Sequence, residues 1–288
     1  MLEFNVIAKV GEVVLLHLSH GDVRPLTLTA GAEFHCKVGV FRHDDMIDHP
    51  FGSHVIGLDK RSPAHLLMLR NTADLWTTIL PHRTQIIYET DIATIIMNLR
   101  LRPGSVVAEA GTGSASLTHS LARTVAPNGK VFTFDFHKGR VEEAKAELQR
   151  HGLADIVVSG WGDVCCTVPS AEHGAQPSGF GLPKDSVDAV FLDVPSPWAA
   201  LPNVAEVLRP GGMLCTFSPC IEQTQRLCNQ LREEPNTFID TVTVEALSKE
   251  FEPVKKHKGS VTLLLPVPIS KGHSAYLTFS RKRLAIKS

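Results

Sequence analysis

The sequence lacks most of the features that announce a chemistry. Its six cysteines, Cys36, Cys165, Cys166, Cys215, Cys220 and Cys228, form no Cys-x-x-Cys pair, and its 14 histidines form no His-Glu-x-x-His. Neither zinc-site nor disulfide-framework spacing is present, so no metal is expected and the cysteines read as free thiols in a reducing compartment. Tyrosine occurs twice, at Tyr88 and Tyr276, and the residues four places on are Ile92 and Ser280 rather than lysine. That excludes the Tyr-x-x-x-Lys arrangement of short-chain hydride-transfer enzymes. Long apolar runs are missing too. The most apolar late stretch, 261–269, is broken by Pro266 and Pro268 and falls far short of the roughly 20 residues that span a bilayer. At the amino terminus Glu3 and Lys9 sit within an alternating pattern, unlike a signal peptide, so an intracellular, soluble protein off the membrane is expected. Excess charge of either sign is absent: 29 Lys and Arg against 30 Asp and Glu leave a formal net charge of −1. The chain therefore has no overall basic surface, although Lys255-Lys256-His257-Lys258 and Arg281-Lys282-Arg283 are local basic clusters.

What is present is ordinary globular material, 43% hydrophobic and 20% charged over 288 residues, enough for one large domain or a small and a medium one. The first 72 residues read as short strands, at 12–18, 27–29 and 37–41, separated by turn residues such as His20-Gly21-Asp22 and Pro50-Phe51-Gly52-Ser53. They predict a small N-terminal β-barrel or sandwich domain over 1–72. From 73 to 288 the rhythm changes. Apolar residues at helical spacing over Thr90–Leu99 precede alternating strands and helices: strands at 106–108, 131–134, 156–158, 187–192 and 213–217, with a last one at 275–280. This alternation predicts an α/β domain of Rossmann-like type with a mainly parallel sheet. Gly-, Pro- and Ser-rich text near 165–184, and the stretch 250–272, read as surface insertions.

The richest segment is Ser105-Val106-Val107-Ala108-Glu109-Ala110-Gly111-Thr112-Gly113-Ser114-Ala115-Ser116-Leu117. A strand, a glycine turn and a helix in that order form a nucleotide-cofactor pocket, because small residues let backbone N–H groups approach the ligand. Asp135 closes the next strand, where a carboxylate can accept hydrogen bonds from ribose hydroxyls. Dinucleotides and S-adenosylmethionine both use such a site. The spacing Glu109-x-Gly111-x-Gly113-x-Ala115 favours the methyl donor over Gly-x-Gly-x-x-Gly, whose last place is held by Ser116. Asp163, followed by Val164, closes the third strand, where a carboxylate can receive the adenine amino group of the donor.

On the acceptor side, Asp193-Val194-Pro195-Ser196-Pro197-Trp198 follows the fourth strand. Ligands of open α/β sheets bind beyond the carboxyl ends of the strands, which turns Asp193 toward the transferred methyl. The segment resembles the Asp/Asn-Pro-Pro-aromatic loop of enzymes that methylate amino nitrogens of bases. A carboxylate here suits N1 of adenine: it accepts N6–H, pushes electron density toward N1 and stabilises the cation that methylation creates.

Four segments, Leu80–Asp91, Glu109–Ser114, Phe191–Trp198 and Phe217–Gln223, resemble in order the tRNA N1-adenine methyltransferases that act at position 58 of the T loop, and more closely the eukaryotic catalytic subunit. The likeness extends to Arg42-His43 and Pro50–Ser53 early in the chain and Tyr276–Phe279 near its end. It implies an S-adenosylmethionine pocket lined by Ile87, Glu109, Gly111, Gly113, Ser114, Ala115, Ser116, Asp135, Arg140, Asp163, Val164 and Asp193. It implies Asp193 and Tyr88 as the catalytic pair flanking the adenine. The RNA-binding residues it implies are His20, Arg83, Gln85, Tyr88, Pro195, Ser218, Pro219 and Gln223. Ala115 stands where glycine is common and Asp135 where Glu is common.

The same resemblance implies a nuclear enzyme, with cytoplasm as the alternative. It implies a two-plus-two heterotetramer with a non-catalytic paralogue, or a homotetramer. Near-neutral charge fits a more basic partner that supplies RNA affinity. Two other functions stay open at this point: a methyltransferase for protein or small molecules, and a non-catalytic RNA-binding scaffold subunit.

Overall fold

The computed structural model describes residues 6–19, 21–59, 61, 63–81, 83–166, 179–233, 237–255, 262–268 and 272–284. His20, most of the first insertion and Lys256–Lys258 lie outside them. In chain order the elements begin with strands β1 (Val13–Ser19), β2 (Asp22–Thr27), β3 (Glu33–Cys36), β4 (Gly39–Arg42), β5 (His54–Ile56) and β6 (His65–Arg70), followed by helices α1 (Ala73–Ile79) and α2 (Glu89–Asn98). Then come β7 (Val106–Ala110), α3 (Ser116–Val125), β8 (Lys130–Asp135), α4 (Lys138–Arg150), β9 (Val157–Trp161), β10 (Val187–Leu192), α5 (Leu201–Val207), β11 (Leu208–Ser218) and α6 (Ile221–Glu233). Strands β12 (Phe238–Glu245), β13 (Phe251–Lys255), β14 (Thr262–Pro266) and β15 (Tyr276–Lys282) complete the series. Two compact units result. The first comprises Met1–Ile87, Arg102–Val106 and Thr112–Trp161, and the second Tyr88–Leu101, Val107–Gly111 and Gly162–Ser288.

The first unit opens with an antiparallel sheet in the order β2-β1-β6-β5 and a separate β3–β4 hairpin. Val14 and Leu16 of β1 pack with Leu28, Phe41, Met46, Leu66 and Met68 in a fully buried cluster. The strand expected at 37–41 is instead split by a turn. Cys36 pairs with Gly39, which leaves Lys37 and Val38 at the hairpin tip. The alternating valines Val38 and Val40 suggested one strand, but Val38 is exposed. The strand expected at 27–29 ends at Thr27, and Leu28 is buried just beyond it. Farther along, β8 and β9 pair in parallel, Val131 opposite Val157 and Asp135 opposite Trp161. Helix α4 connects them and buries Val141, Ala144 and Leu148, the one apolar stripe in an otherwise charged sequence.

In the second unit the strand order is β12-β15-β11-β10-β7. Strands β7, β10 and β11 are parallel, whereas β15 runs antiparallel to both β11 and β12. Val190, Phe191 and Leu192 are completely buried, as a strand covered on both faces requires. Leu192 sits opposite Ala110 of β7 and Thr216 of β11, so these three strands end at one edge. Helix α6, which the sequence reading did not single out, follows β11 and buries Thr224, Leu227 and Leu231. Within 250–272, β13 and β14 pair as an antiparallel hairpin.

Candidate active site

At the carboxyl edge of the second unit, Gly111 follows β7 with φ of +96°, a conformation that disfavours any side chain. A methyl group on its Cα would lie 2.2 Å from the carbonyl oxygen of Asp193. The Asp193 N–H in turn donates to the Ala110 carbonyl at 2.8 Å. The glycine turn and the acceptor loop are thus in backbone contact, and only glycine fits between them. Glu109 is buried within β7, and Asp193 is half-buried.

The acceptor loop is pinned from α6, where Gln223 Nε2 donates to the Pro195 carbonyl at 3.3 Å. The Arg226 guanidinium lies 4.1 Å over the Trp198 ring, a cation–π contact that fixes the other end of the loop. Ser218 is buried at the end of β11, and Pro219 after it is exposed. Tyr88, half-buried, occupies the residue before α2, and its carbonyl accepts the first helical bond from Ile92.

Asp163 anchors its own turn, Oδ1 accepting the Cys165 N–H at 2.9 Å. The amide of buried Asn203 donates to the Val164 and Cys166 carbonyls at 2.8 and 3.0 Å. Asn203 carried no signal in the sequence, because its role depends on α5 folding back on this turn. Burial, with the Asp163 carboxylate beside it, pushes the Cys165 thiol up to about 11, which leaves it protonated and unreactive at neutral pH.

The first unit carries the rest of the glycine turn. Gly113, with φ of +53°, donates its N–H to Asp135 Oδ2 at 3.1 Å. Asp135 Oδ1 accepts the His137 N–H at 2.8 Å, and Arg140 Nε lies 3.6 Å away. Burial raises the Asp135 pKa, while the Gly113 N–H and the Arg140 charge pull it down. Ser114 Oγ accepts the N–H groups of Arg83 and Thr84, both at 3.0 Å. Ser116 Oγ donates to the Ile87 carbonyl at 2.9 Å. Gly113, Ser114, Ser116, Asp135, Arg140 and Ile87, expected in the donor pocket, lie in this unit, and Arg83, expected at the RNA, hydrogen-bonds to Ser114 instead of standing free of them. Gln85 is exposed.

Ala115 has φ of +61°. An L-residue bears that conformation at a cost of roughly 1–2 kcal/mol, which accounts for the glycine expected there. What braces it is a cluster that sequence reasoning missed. His119 Nδ1 lies 2.7 Å from the Ala115 carbonyl, and His119 Nε2 lies 2.8 Å from His151 Nδ1. A carbonyl only accepts, so Nδ1 of His119 carries the proton, and its Nε2 accepts from His151. Burial holds both imidazoles neutral, with pKa values lowered to about 4 for His119 and about 3 for His151. Beside them Glu147 takes the Trp76 indole N–H at 3.2 Å and the Arg83 guanidinium at 3.2 Å. Arg83 also donates to the Ser114 carbonyl at 3.2 Å, so the guanidinium sits behind the glycine turn with its side chain mostly buried. His119, Glu147 and His151 present metal-ligating atoms within 4.8 Å of one another, here hydrogen-bonded among themselves and to Trp76 and Arg83. Only the i, i+4 spacing of Glu147 on α4 and His151, which caps its carboxyl end, was visible in the sequence.

A parallel α/β sheet, a glycine turn after one strand and a carboxylate closing the next define a nucleotide-cofactor fold, and similarity to known proteins makes it that of an S-adenosylmethionine-dependent methyltransferase. The solved structure of such an enzyme from Thermotoga maritima, an O-methyltransferase, superposes with a TM-score of 0.79 at 25% identity and covers 98% of this chain and 97% of its own. The chain belongs to the family of the tRNA methyltransferase complex GCD14 subunit, whose profile matches residues 64–264, and a TrmI-like N-terminal profile matches residues 8–55. Relatives named tRNA (adenine(58)-N(1))-methyltransferase catalytic subunit occur in Candida albicans and Dictyostelium discoideum. The first is 42% identical over 240 residues, 82% of this chain and 68% of the relative. The second is 38% identical over 252 residues, 88% of this chain and 77% of the relative. The tRNA (m1A58) methyltransferase TrmI of Aquifex aeolicus shares the fold, with a TM-score of 0.70 at 24% identity over 98% of this chain and all of its own. Among the described residues no helix is long and apolar enough to cross a membrane.

Proposed function

We propose that this chain is the catalytic subunit that methylates N1 of adenine 58 in the T loop of tRNA. The observation that carries the reading is the backbone contact between Gly111 and Asp193, which sets the donor turn directly against the acceptor loop. The residues suit S-adenosylmethionine: glycine where a Cβ would collide with Asp193, and Asp135 at the strand end with one backbone N–H on each carboxylate oxygen. In the first unit Gly113 and Asp135 would hold it, and it supplies an electrophilic methyl on a sulfonium. Asp193 accepts the N6–H of the adenine and stabilises the positive charge that N1 acquires when it takes the methyl. Tyr88 stacks on or abuts the base. The T-loop adenine must be drawn out of the folded RNA to reach this edge.

The catalytic-subunit naming of the relatives supports a non-catalytic partner. A chain of net charge −1 facing a polyanion leaves that partner to provide much of the RNA affinity. A two-plus-two assembly and a nuclear location belong to the same reading. The test is methyl transfer to unmodified tRNA, with and without the partner, read as N1-methyladenosine by nucleoside mass spectrometry. Asp193→Ala should lose at least about 100-fold in turnover, the usual cost of a lost transition-state charge contact, while still binding S-adenosylmethionine. Undiminished turnover would remove Asp193 from the mechanism. Methylation of protein but not tRNA would overturn the substrate assignment.

A further inference from the structure

His273 stands between β14 and β15 at the edge where Asp193 and Ser218 emerge. Its Nδ1 lies 2.5 Å from Glu245 Oε1 and its Nε2 lies 3.0 Å from the Pro219 carbonyl oxygen. A carbonyl can only accept a hydrogen bond, and so can an ionised carboxylate. Both ring nitrogens therefore donate, and the ring is an imidazolium. The sheet register places the partners together: Tyr276 of β15 is opposite Ser218 of β11 on one side and Glu245 of β12 on the other. The Tyr276 ring packs on the imidazole with centroids 4.5 Å apart. Asp91 of α2, buried and hydrogen-bonded by Ser274, adds a second acidic group on the helix side. The groups facing His273 are thus Glu245, Asp91, Tyr276 and the Pro219 carbonyl. The two acidic groups favour the charged ring, and its pKa is raised by the Glu245 and Pro219 hydrogen bonds.

The other end of the same segment is tied to the acceptor loop, because Gln223 in the first turn of α6 holds the Pro195 carbonyl. Leu192 and Thr216 are paired neighbours, so Asp193 and the Ser218-Pro219 turn leave adjacent parallel strands in the same direction. We propose that His273 is a positioning residue for base methylation, an imidazolium clamp from Glu245 to the Pro219 carbonyl that holds the Ser218–Gln223 segment in its substrate-receiving conformation. This rests on the reading of that segment as RNA-contacting. The clamp exists while the ring is protonated. Raising the pH through the pKa of His273 removes one donor, releases Pro219 or Glu245, and lowers the rate of transfer.

The test compares wild type, His273→Ala, His273→Gln, His273→Arg and Glu245→Gln, each assembled with its partner and assayed on unmodified tRNA across pH 6 to 9. His273→Ala should lose roughly ten- to hundred-fold in kcat/KM for tRNA, the range expected for a lost hydrogen bond to a charged group, with S-adenosylmethionine affinity unchanged. Wild type should show an alkaline limb in kcat/KM that His273→Gln lacks. His273→Arg, a permanent cation with five N–H donors, should recover part of the rate and carry no limb below about pH 9. Glu245→Gln should move the limb to lower pH. Wild-type kcat/KM and an unchanged pH profile in His273→Ala would overturn the proposal. So would an unmoved limb in Glu245→Gln, which keeps the imidazole in a folded protein. NMR titration of His273 reads the clamp without turnover: a pKa above the usual value of about 6.5 that falls in Glu245→Gln supports it, and one at or below that value overturns it. A wild type that transfers no methyl to tRNA, yet titrates as expected, overturns the function instead.

Discussion

Replacing Gly111 by alanine should be among the most damaging single-methyl changes available to this chain. The added Cβ would lie 2.2 Å from the Asp193 carbonyl oxygen and 3.0 Å from its carbonyl carbon, both backbone atoms. Relief requires a displacement of roughly 1 Å, since non-bonded carbon contacts settle near 3.5 Å or slightly less for oxygen. The displaced atoms belong to the residue whose N–H is bonded to Ala110, so the movement strains that bond as well. Overpacking of this kind costs about 1–3 kcal/mol, and a φ of +96° on a residue with a Cβ adds roughly 1–3 kcal/mol. A loss of about 2–6 kcal/mol should lower Tm by roughly 5 °C or more in a chain of this size. On the proposed function, affinity for S-adenosylmethionine should fall with it, because the turn proposed to receive the donor and the loop proposed to receive the base move apart. Thermal unfolding and calorimetry with S-adenosylmethionine measure the two effects. The comparison is Gly113→Ala, where the added methyl meets only the Thr84 hydroxyl, at 2.7 Å, and the next atom is 3.7 Å away. That side chain can rotate, so Gly113→Ala should cost less than Gly111→Ala. Removing the obstacle in Gly113→Ala/Thr84→Ala should leave mainly the backbone strain. Equal Tm values for Gly111→Ala and wild type, within about 1 °C, would refute the close-approach argument.

Acidification tests the buried histidine pair. His119 titrates near 4 in the fold and His151 near 3, against about 6.5 unfolded, so below pH 6.5 the unfolded chain binds more protons and stability falls as pH drops. The loss should reach about 3 kcal/mol for His119 by pH 4, read as urea midpoints between pH 7 and 4, and His119→Gln/His151→Gln should flatten the slope. Asp91, Asp135 and Glu147, whose pKa values are raised by burial, act in the opposite sense, which is why the double variant is the proper reference. Asn203→Ala leaves the Val164 and Cys166 carbonyls without their donor and should destabilise by about 1–3 kcal/mol. It should also weaken S-adenosylmethionine binding if Asp163 and Val164 hold the donor's adenine; unchanged donor affinity would detach that turn from the cofactor.

Local order was largely legible from the sequence. Strand β10 was placed over Val187–Leu192 because a strand buried on both faces has a continuous apolar run. The glycine turn and Asp135 were legible because strand-end chemistry is written within a few consecutive residues. Misreadings came where neighbours rather than sequence decide. Val38 looks like a strand residue until the Cys36–Gly39 pairing makes it a hairpin tip. Helix α6 was passed over, and its anchoring role through Gln223 depends on a carbonyl 28 residues away.

The site divides in the same way. Residue types and short spacings determined by themselves which groups could bind a donor and polarise a base, since Glu109-x-Gly111-x-Gly113 and the Asp193 loop are local patterns. Only the tertiary structure could decide what presses on them. The collision that makes Gly111 obligatory spans 82 positions, and the cluster behind Ala115 unites residues from three helices with Arg83. His273 meets Pro219 54 residues away. Hydrogen bonds and excluded volume act over a few ångströms in space with no regard to separation along the chain. The sequence therefore offered the candidate groups, and the fold determined the tautomers, charges and contacts that hold them.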